Sequence, residues 1–247
     1  MSNGLIERVQ RARRDPSLVV VEGFHALKHA VRFGATFDVV ATSDLDGLAT
    51  LAGSLAPDVA EWLSSATVVA ADALAAMAPR APRTAVMAVA RRPVMDPAAV
   101  WIDPRERPVV LLEDPRTMGN VGACVRVAAG AGAAAVVTTG PSDPWHPDAV
   151  RGGAGLQFAL PVGRLEAIPA RTGRPLLALD PEGEELDPRS LPARAIFAFG
   201  TERDGLSPEL LDAADARIRL PMEAGVSSLN LATSVAAVLY AWRLARG

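Results

Sequence analysis

The chain has almost no cysteine, almost no lysine and few aromatic residues, and each shortage removes a class of protein. Among 247 residues Cys124 is the single cysteine, so no intramolecular disulfide is available and a reducing, cytoplasmic setting is expected. Only three histidines are present. That is too few, with one cysteine, for a conventional transition-metal centre, and no metal is expected. No run of about 18 uninterrupted apolar residues occurs, so no membrane span is expected. The opening MSNGLIERVQRARRDP lacks the apolar core of a secretory signal. Neither G-x-G-x-x-G nor a P-loop is present, which counts against a nucleotide-dependent oxidoreductase.

Aromatic residues make up 4% of the chain against 50% hydrophobic residues in all, so the core rests on Ala, Val and Leu. That composition fits an α/β protein and argues against disorder. The net charge of −3 gives no sign of a polyanionic partner. Its distribution says more: of 25 basic residues only Lys28 is a lysine. A GC-rich genome explains such a bias; arginine forks also suit phosphate, and the bias alone does not separate the two.

Pro93, Pro97, Pro104 and Pro108 punctuate one region and make it read as a linker over 93–106. Before it, residues 1–92 alternate strand-like runs (18–23, 37–42, 66–71, 84–92) with helical spacing at 5–14 and 24–34, which predicts a small α/β unit. The 5–14 helix carries Arg8, Arg11, Arg13 and Arg14. A solvated face is the ordinary reading of such a helix, and a polyanion contact the sharper one. After the linker, residues 107–247 are more regular. PVVLLED, AAVVTTG, LLALD, AIFAFG and ARIRLPM are short apolar runs, several ending in polar turns, as buried parallel strands do. Ligands bind at that edge of a parallel sheet.

Three turns there carry more polar residues than folding needs. DPRTMGNVGACVRVAAGAGA (114–133) places Gly119 and Gly122 for close backbone approach, Asn120 where it can cap a helix, and Arg126 in an otherwise apolar helix. Arg126 must reach solvent or meet an anion, since a buried unpaired charge is prohibitive. FGTERDGLS (199–207) crowds Glu202, Arg203 and Asp204 between glycines, and Ser207 with Pro208 reads as a helix start. LPMEAGVSSLNLATSVAAVLY (220–240) sets Ser227, Ser228 and Asn230 at the mouth of an apolar helix, where a cap accounts for only one of them.

These three blocks, in this order, resemble the three motifs of the SpoU–TrmH branch of the SPOUT methyltransferases, over roughly residues 108–247. The spacer VRGGAGLQFALPV (150–162) resembles the family's link between the first and second motifs. RRDPSLVVVEGFHALKHAV resembles the start of the family's small RNA-substrate-binding domain of ribosomal L30e type. The resemblance implies an α/β fold with a parallel sheet and a C-terminal trefoil knot, preceded by an L30e-like domain. It implies a homodimeric 2′-O-ribose methyltransferase that takes S-adenosylmethionine and acts on RNA.

By motif position the cofactor contacts fall on Leu179, Gly200, Leu220, Met222 and Leu229. Asn120, Arg126, Glu202, Ser228 and Asn230 fall around the reacting centre. Arg126 is expected to hold a phosphate beside the target ribose and to favour the developing alkoxide, because a guanidinium is a poor proton acceptor. Arg8, Arg11, Arg13, Arg14 and Arg151 are candidates for RNA contact, with Arg80, Arg83, Arg91 and Arg92 as further basic positions. Ribosomal RNA is preferred to transfer RNA by analogy with enzymes that carry such a front domain. The rival readings are a tRNA 2′-O-methyltransferase, a non-catalytic RNA-binding factor keeping the fold, and a small-molecule methyltransferase.

Overall fold

A computed structural model of the protein describes residues 2–79, 81–169, 172–201 and 204–246. The chain forms two compact units, one of residues 1–93 with 145–159, the other of residues 94–144 with 160–247. In chain order the first half holds α1 (Ser2–Ala12), β1 (Leu18–Glu22), α2 (Phe24–Arg32), β2 (Phe37–Thr42), α3 (Leu45–Leu55), α4 (Ala60–Leu63), β3 (Thr67–Val68), α5 (Ala71–Ala76), β4 (Val86–Arg91) and α6 (Pro97–Ile102). Then follow β5 (Val109–Leu112), α7 (Met118–Ala131), β6 (Ala135–Thr138), α8 (Pro147–Gly152), β7 (Val162–Arg164), β8 (Leu176–Glu185), β9 (Ile196–Phe199), α9 (Pro208–Ala213), β10 (Ala216–Arg219) and α10 (Leu231–Leu244).

The first unit is built on a sheet in the order β1-β4-β2-β3, with β4 antiparallel to β1 and β2, and β3 parallel to β2. Helix α1 sets Leu5, Ile6, Val9 and Ala12 on one face, against Val20, Met87 and Val89 of the sheet. That packing leaves Arg8, Arg11 and Arg14 exposed, while Arg13 turns inward to Glu22. The run expected to be a strand over 66–71 pairs only at Thr67 and Val68, because α5 begins at Ala71. Helix α8 belongs to this unit, a grouping that no local sequence pattern announces.

The second unit is a six-stranded, wholly parallel sheet in the order β10-β8-β9-β5-β6-β7. Strands β5, β6 and β9 are buried at every position, as their unbroken apolar runs require. The proline-punctuated stretch 93–106 differs from the linker expected of it. Asp96 caps α6 with Pro97 in its first turn, and Val100 and Trp101 enter the core of this unit. Proline here starts a helix, the position where its missing N–H costs nothing.

Helices α7 and α10 pack together through apolar faces. Leu231, Val235, Val238 and Leu239 of α10 and Val121, Cys124, Val125 and Ala128 of α7 are all buried. Gly132, with φ of 80°, closes α7, and Arg243 of α10 donates to the Ala131 carbonyl at 2.9 Å.

Candidate functional site at the carboxyl edge of the parallel sheet

The strand order reverses around β5 and β9, and such switch points open a crevice beyond the strand ends. Strand β8 enlarges it. β10 pairs with β8 at Leu177 and Ala178, then again at Glu184 and Glu185, so residues 179–183 leave the ladder as a loop. Gly183 lets that loop return, since a Cβ there would meet the Arg217 and Ile218 backbone at 2.5–2.6 Å. At the end of β9, Gly200 is equally constrained: a Cβ would run into the main chain of Gly205 and Leu206. The turn between is closed by Thr201 N–H to Gly205 O at 3.0 Å and Gly205 N–H to Thr201 O at 3.2 Å.

These loops enclose a cleft of about 240 Å³. Leu179, Gly200, Leu220, Met222 and Leu229, which come from three separate stretches of sequence, all line it. Ser227 and Ser228 join them. Ser234, one helical turn beyond Asn230, lines it too and was missed, although its i+4 spacing from Asn230 was there to be read. The lining is largely aliphatic, with a few hydroxyls and the charged Asp180 and Arg219. The aliphatic part of such a lining suits an aromatic base and a sulfonium. A larger groove of about 1320 Å³ lies beside it and shares the Thr201–Gly205 turn, but among the described residues it holds none of the expected site residues.

Between the cleft-lining Leu229 and Leu231, the third motif meets the first through Asn230. Asn230 is the N-cap of α10: its Oδ1 accepts from Ala232 N–H at 3.0 Å, and its Nδ2 donates to Asn120 Oδ1 at 3.2 Å. Asn120 does not cap α7, contrary to expectation. Thr117 occupies the cap position and Asn120 lies within the first turn, which turns its side chain to Asn230 instead. Arg126 is exposed on α7, six residues beyond Asn120 and so about 120° around the helix. Ser207 caps α9 as expected and also donates through N–H and Oγ to Glu113 at 2.7 and 2.6 Å, tying the end of β5 to α9. Asp114 next to it adopts φ of 42° and pairs with Arg116 at 2.5 Å. Glu202 and Arg80 lie outside the described residues.

The arginines expected at RNA divide into two groups. Arg11 and Arg14 are exposed, and Arg8 is exposed with one contact, to Asp38 O at 3.4 Å. Arg13 and Arg151 are committed: both grip the buried Glu22 carboxylate, at 2.6 and 2.9 Å, and Arg151 also holds Asp148 at 2.5 Å. A carboxylate this buried needs paired cations, which explains both contacts without a ligand.

A parallel α/β unit with a ligand cleft made of strand-end loops at a switch point is the class that fold and site define. Residues 107–240 match the SpoU rRNA Methylase family, and the chain belongs to that family. It is 35% identical over 167 residues to an uncharacterized tRNA/rRNA methyltransferase of Mycobacterium bovis, covering 63% of this chain and 58% of that protein. It is 30% identical over 144 residues to the 23S rRNA (uridine(2479)-2′-O)-methyltransferase of Streptomyces viridochromogenes, covering 53% of this chain and 50% of that one. The chain therefore spans about half the length of these curated relatives. Among solved structures, the SpoU methyltransferase AviRb of Streptomyces viridochromogenes in complex with AdoMet superposes with a TM-score of 0.79 at 23% identity, over 99% of this chain and 98% of that one. The AdoMet-bound rRNA methyltransferase of Sinorhizobium meliloti gives 0.76 at 21% identity, over 99% and 95%. At such identities the likeness establishes the fold.

Proposed function

We propose that the protein is an S-adenosylmethionine-dependent RNA 2′-O-ribose methyltransferase acting on 23S ribosomal RNA. The observation that carries this reading is convergence. Five residues expected to hold the cofactor line one largely aliphatic cleft together with Ser228, and Asn230, next to the lining Leu229, contacts Asn120. Two relatives supply the substrate class: 23S rRNA 2′-O-methyltransferases from two Streptomyces species are 30% and 31% identical to this chain. Structures of the same fold hold AdoMet.

When bound, S-adenosylmethionine supplies a methyl group made electrophilic by a sulfonium. The chain's own residues have three tasks: to exclude water, to align the ribose hydroxyl and to let its proton leave. Leu179, Leu220, Met222 and Leu229 wall the cleft against water, and Gly200 offers its main chain. In this reading Arg126, exposed on α7, holds the phosphate next to the target ribose and stabilises the developing negative charge. Ser228, Asn230, Asn120 and Glu202 orient the ribose or Arg126, and the proton passes to water or to the phosphate.

The loops at 179–183, 200–205 and 220–230 form the trefoil knot of this reading, and residues 107–247 the catalytic domain. Residues 1–92 form an L30e-like domain that contacts RNA through Arg8, Arg11 and Arg14. The exposed Tyr240 and Leu244 on α10 then belong to the interface of a cytoplasmic homodimer. The decisive experiment supplies methyl-labelled S-adenosylmethionine and total RNA from cells lacking the gene, and follows label into alkali-resistant dinucleotides of each RNA species. Label in bases overturns ribose methylation, and label in transfer RNA alone overturns the 23S assignment. RNA binding without transfer makes the protein a non-catalytic factor.

A further inference from the structure

We propose that the groove of about 1320 Å³ beside the cleft is a docking surface for a basic amphipathic helix of a partner protein. All of its described lining residues belong to the second unit, and the proposal does not depend on the methyltransferase reading.

The groove follows from the way β7 is joined to β8. In the sheet β6, β5 and β9 lie between them, a span of about 19 Å at about 4.8 Å for each strand step. Parallel strands are ordinarily joined by a helix, which covers the sheet face it crosses. Here residues 165–175 make the crossing, and none of the described ones is helical. Cover on this face comes instead from Val100 and Trp101 of α6 and Leu210 of the short α9, with Ile168 and Leu176 only partly buried against them. An aliphatic floor of Ile168, Leu176, Ile196 and Leu210 is left between α9 and the crossing. Among the described residues α7 and α10 contribute nothing to this core cluster, so the groove lies on the face away from them.

Its rim is acidic. Glu166 stands on the crossing, Asp204 on the turn after β9 and Glu209 on α9; all three are exposed, and among the described residues none has a cation partner. Asp215 adds a fourth carboxylate, one oxygen of which accepts from Leu176 N–H at 2.7 Å. The lining arginines do not offset these charges. Arg116 is paired with Asp114 at 2.5 Å, and Arg174 is buried with its donors turned to four carbonyls.

Charge and size select the occupant. Carboxylates at the rim repel the phosphates of RNA. The volume exceeds the about 300–1,000 Å³ usual for a small-molecule site. A helix is the element that ordinarily covers such a face. Its aliphatic side chains at i, i+4 and i+7 seat on the floor, while Lys or Arg beside them reach Glu166 on one side and Asp204 and Glu209 on the other.

A phage library of random peptides of about 16 residues, or about 24 Å as a helix, selected on the protein, tests this. Enriched peptides should be net positive with aliphatic residues at helical spacing, and a synthetic copy of the best should bind at micromolar concentration by fluorescence anisotropy. Glu166→Gln, Asp204→Asn and Glu209→Gln together should weaken that binding about 10-fold. Ala213→Trp, which sets bulk at the exposed end of α9 in the groove, should abolish it. Glu7→Gln, Asp46→Asn and Glu61→Gln remove as much charge from exposed positions of the first unit and should change little. No enrichment, enrichment of neutral or acidic peptides, equal weakening by the two triple variants, or undiminished binding to Ala213→Trp overturns the proposal. RNA or a second copy of this chain that binds through the same three carboxylates and displaces the peptide becomes the occupant, and overturns it as well.

Discussion

Replacing Arg174 by methionine should cost the second unit about 3 kcal/mol, and the reason lies in how α6 ends. Asp103 follows the helix, and Pro104 after it has no N–H, so main chain cannot satisfy the last carbonyls. Arg174, only 5% exposed, does so instead. Its Nε donates to Trp101 O at 3.2 Å, Nη1 to Arg107 O at 2.8 Å, and Nη2 to Val100 O at 3.1 Å and Asp103 O at 3.0 Å. Arg194 doubles two of these, at 3.4 Å to Trp101 O and 2.8 Å to Asp103 O. Burial, then the neighbouring Arg194, pulls the Arg174 guanidinium below its ordinary pKa, which records a desolvation cost that methionine escapes. Val100 O and Arg107 O lose their arginine donor, and among the described residues no second arginine stands behind them. At about 1–3 kcal/mol for each deprived carbonyl, less that relief, about 3 kcal/mol remains. In a unit of this size that is a fall in melting temperature of about 10 °C, measurable by calorimetry or urea titration. Arg194→Met together with Arg174→Met should cost more than the sum of the two, because Trp101 O and Asp103 O then lose both donors. An Arg174→Met protein within about 1 kcal/mol of wild type would refute the reasoning.

Gly200→Ala should open the Thr201–Gly205 turn. Losing its two hydrogen bonds amounts to about 2 kcal/mol, or about 30-fold weaker S-adenosylhomocysteine binding by calorimetry; unchanged affinity would separate the cleft from the cofactor. Arg126→Ala should leave that affinity intact and lower kcat about 100-fold, and a native rate would remove Arg126 from the site. Arg105 holds the Asp103 carboxyl down to about 2, through side-chain hydrogen bonds above all. A depressed carboxyl stabilises the fold above its unfolded pKa, and that contribution disappears as pH falls from about 4 to about 2. Arg105→Ala should therefore flatten the acid limb of the stability curve in that window, and an unaltered limb would count against the pairing.

The strands of the second unit were legible because a buried parallel strand needs an unbroken apolar run, and few other structures use one. The starts of α9 and α10 were legible because Ser207 and Asn230 are cap residues whose side chains meet amides two or three positions ahead, a purely local bond. Prolines misled at 93–106, since the same residue ends chains of hydrogen bonds and begins helices; burial of Trp101 decided between the two. Arg13 and Arg151 looked alike in sequence to Arg11 and Arg14. Only the fold brings the first pair, 138 residues apart, to one buried carboxylate at Glu22.

The sequence by itself determined which residue types stand at the strand ends, because glycines, cap residues and apolar runs act over a few positions. What tertiary structure alone decided was which of them share a space. The jump in register between β8 and β10 opens a loop at 179–183; the sequence announced a polar turn after LLALD but not that the chain resumes the same strand beyond it. The reversal of strand order then sets that loop beside Gly200, Leu220 and Leu229, so that one cleft is made from residues up to 55 positions apart. Asn120 and Asn230 meet for the same reason. Helix packing, which depends on the shapes of whole faces, carries the start of α7 to the start of α10.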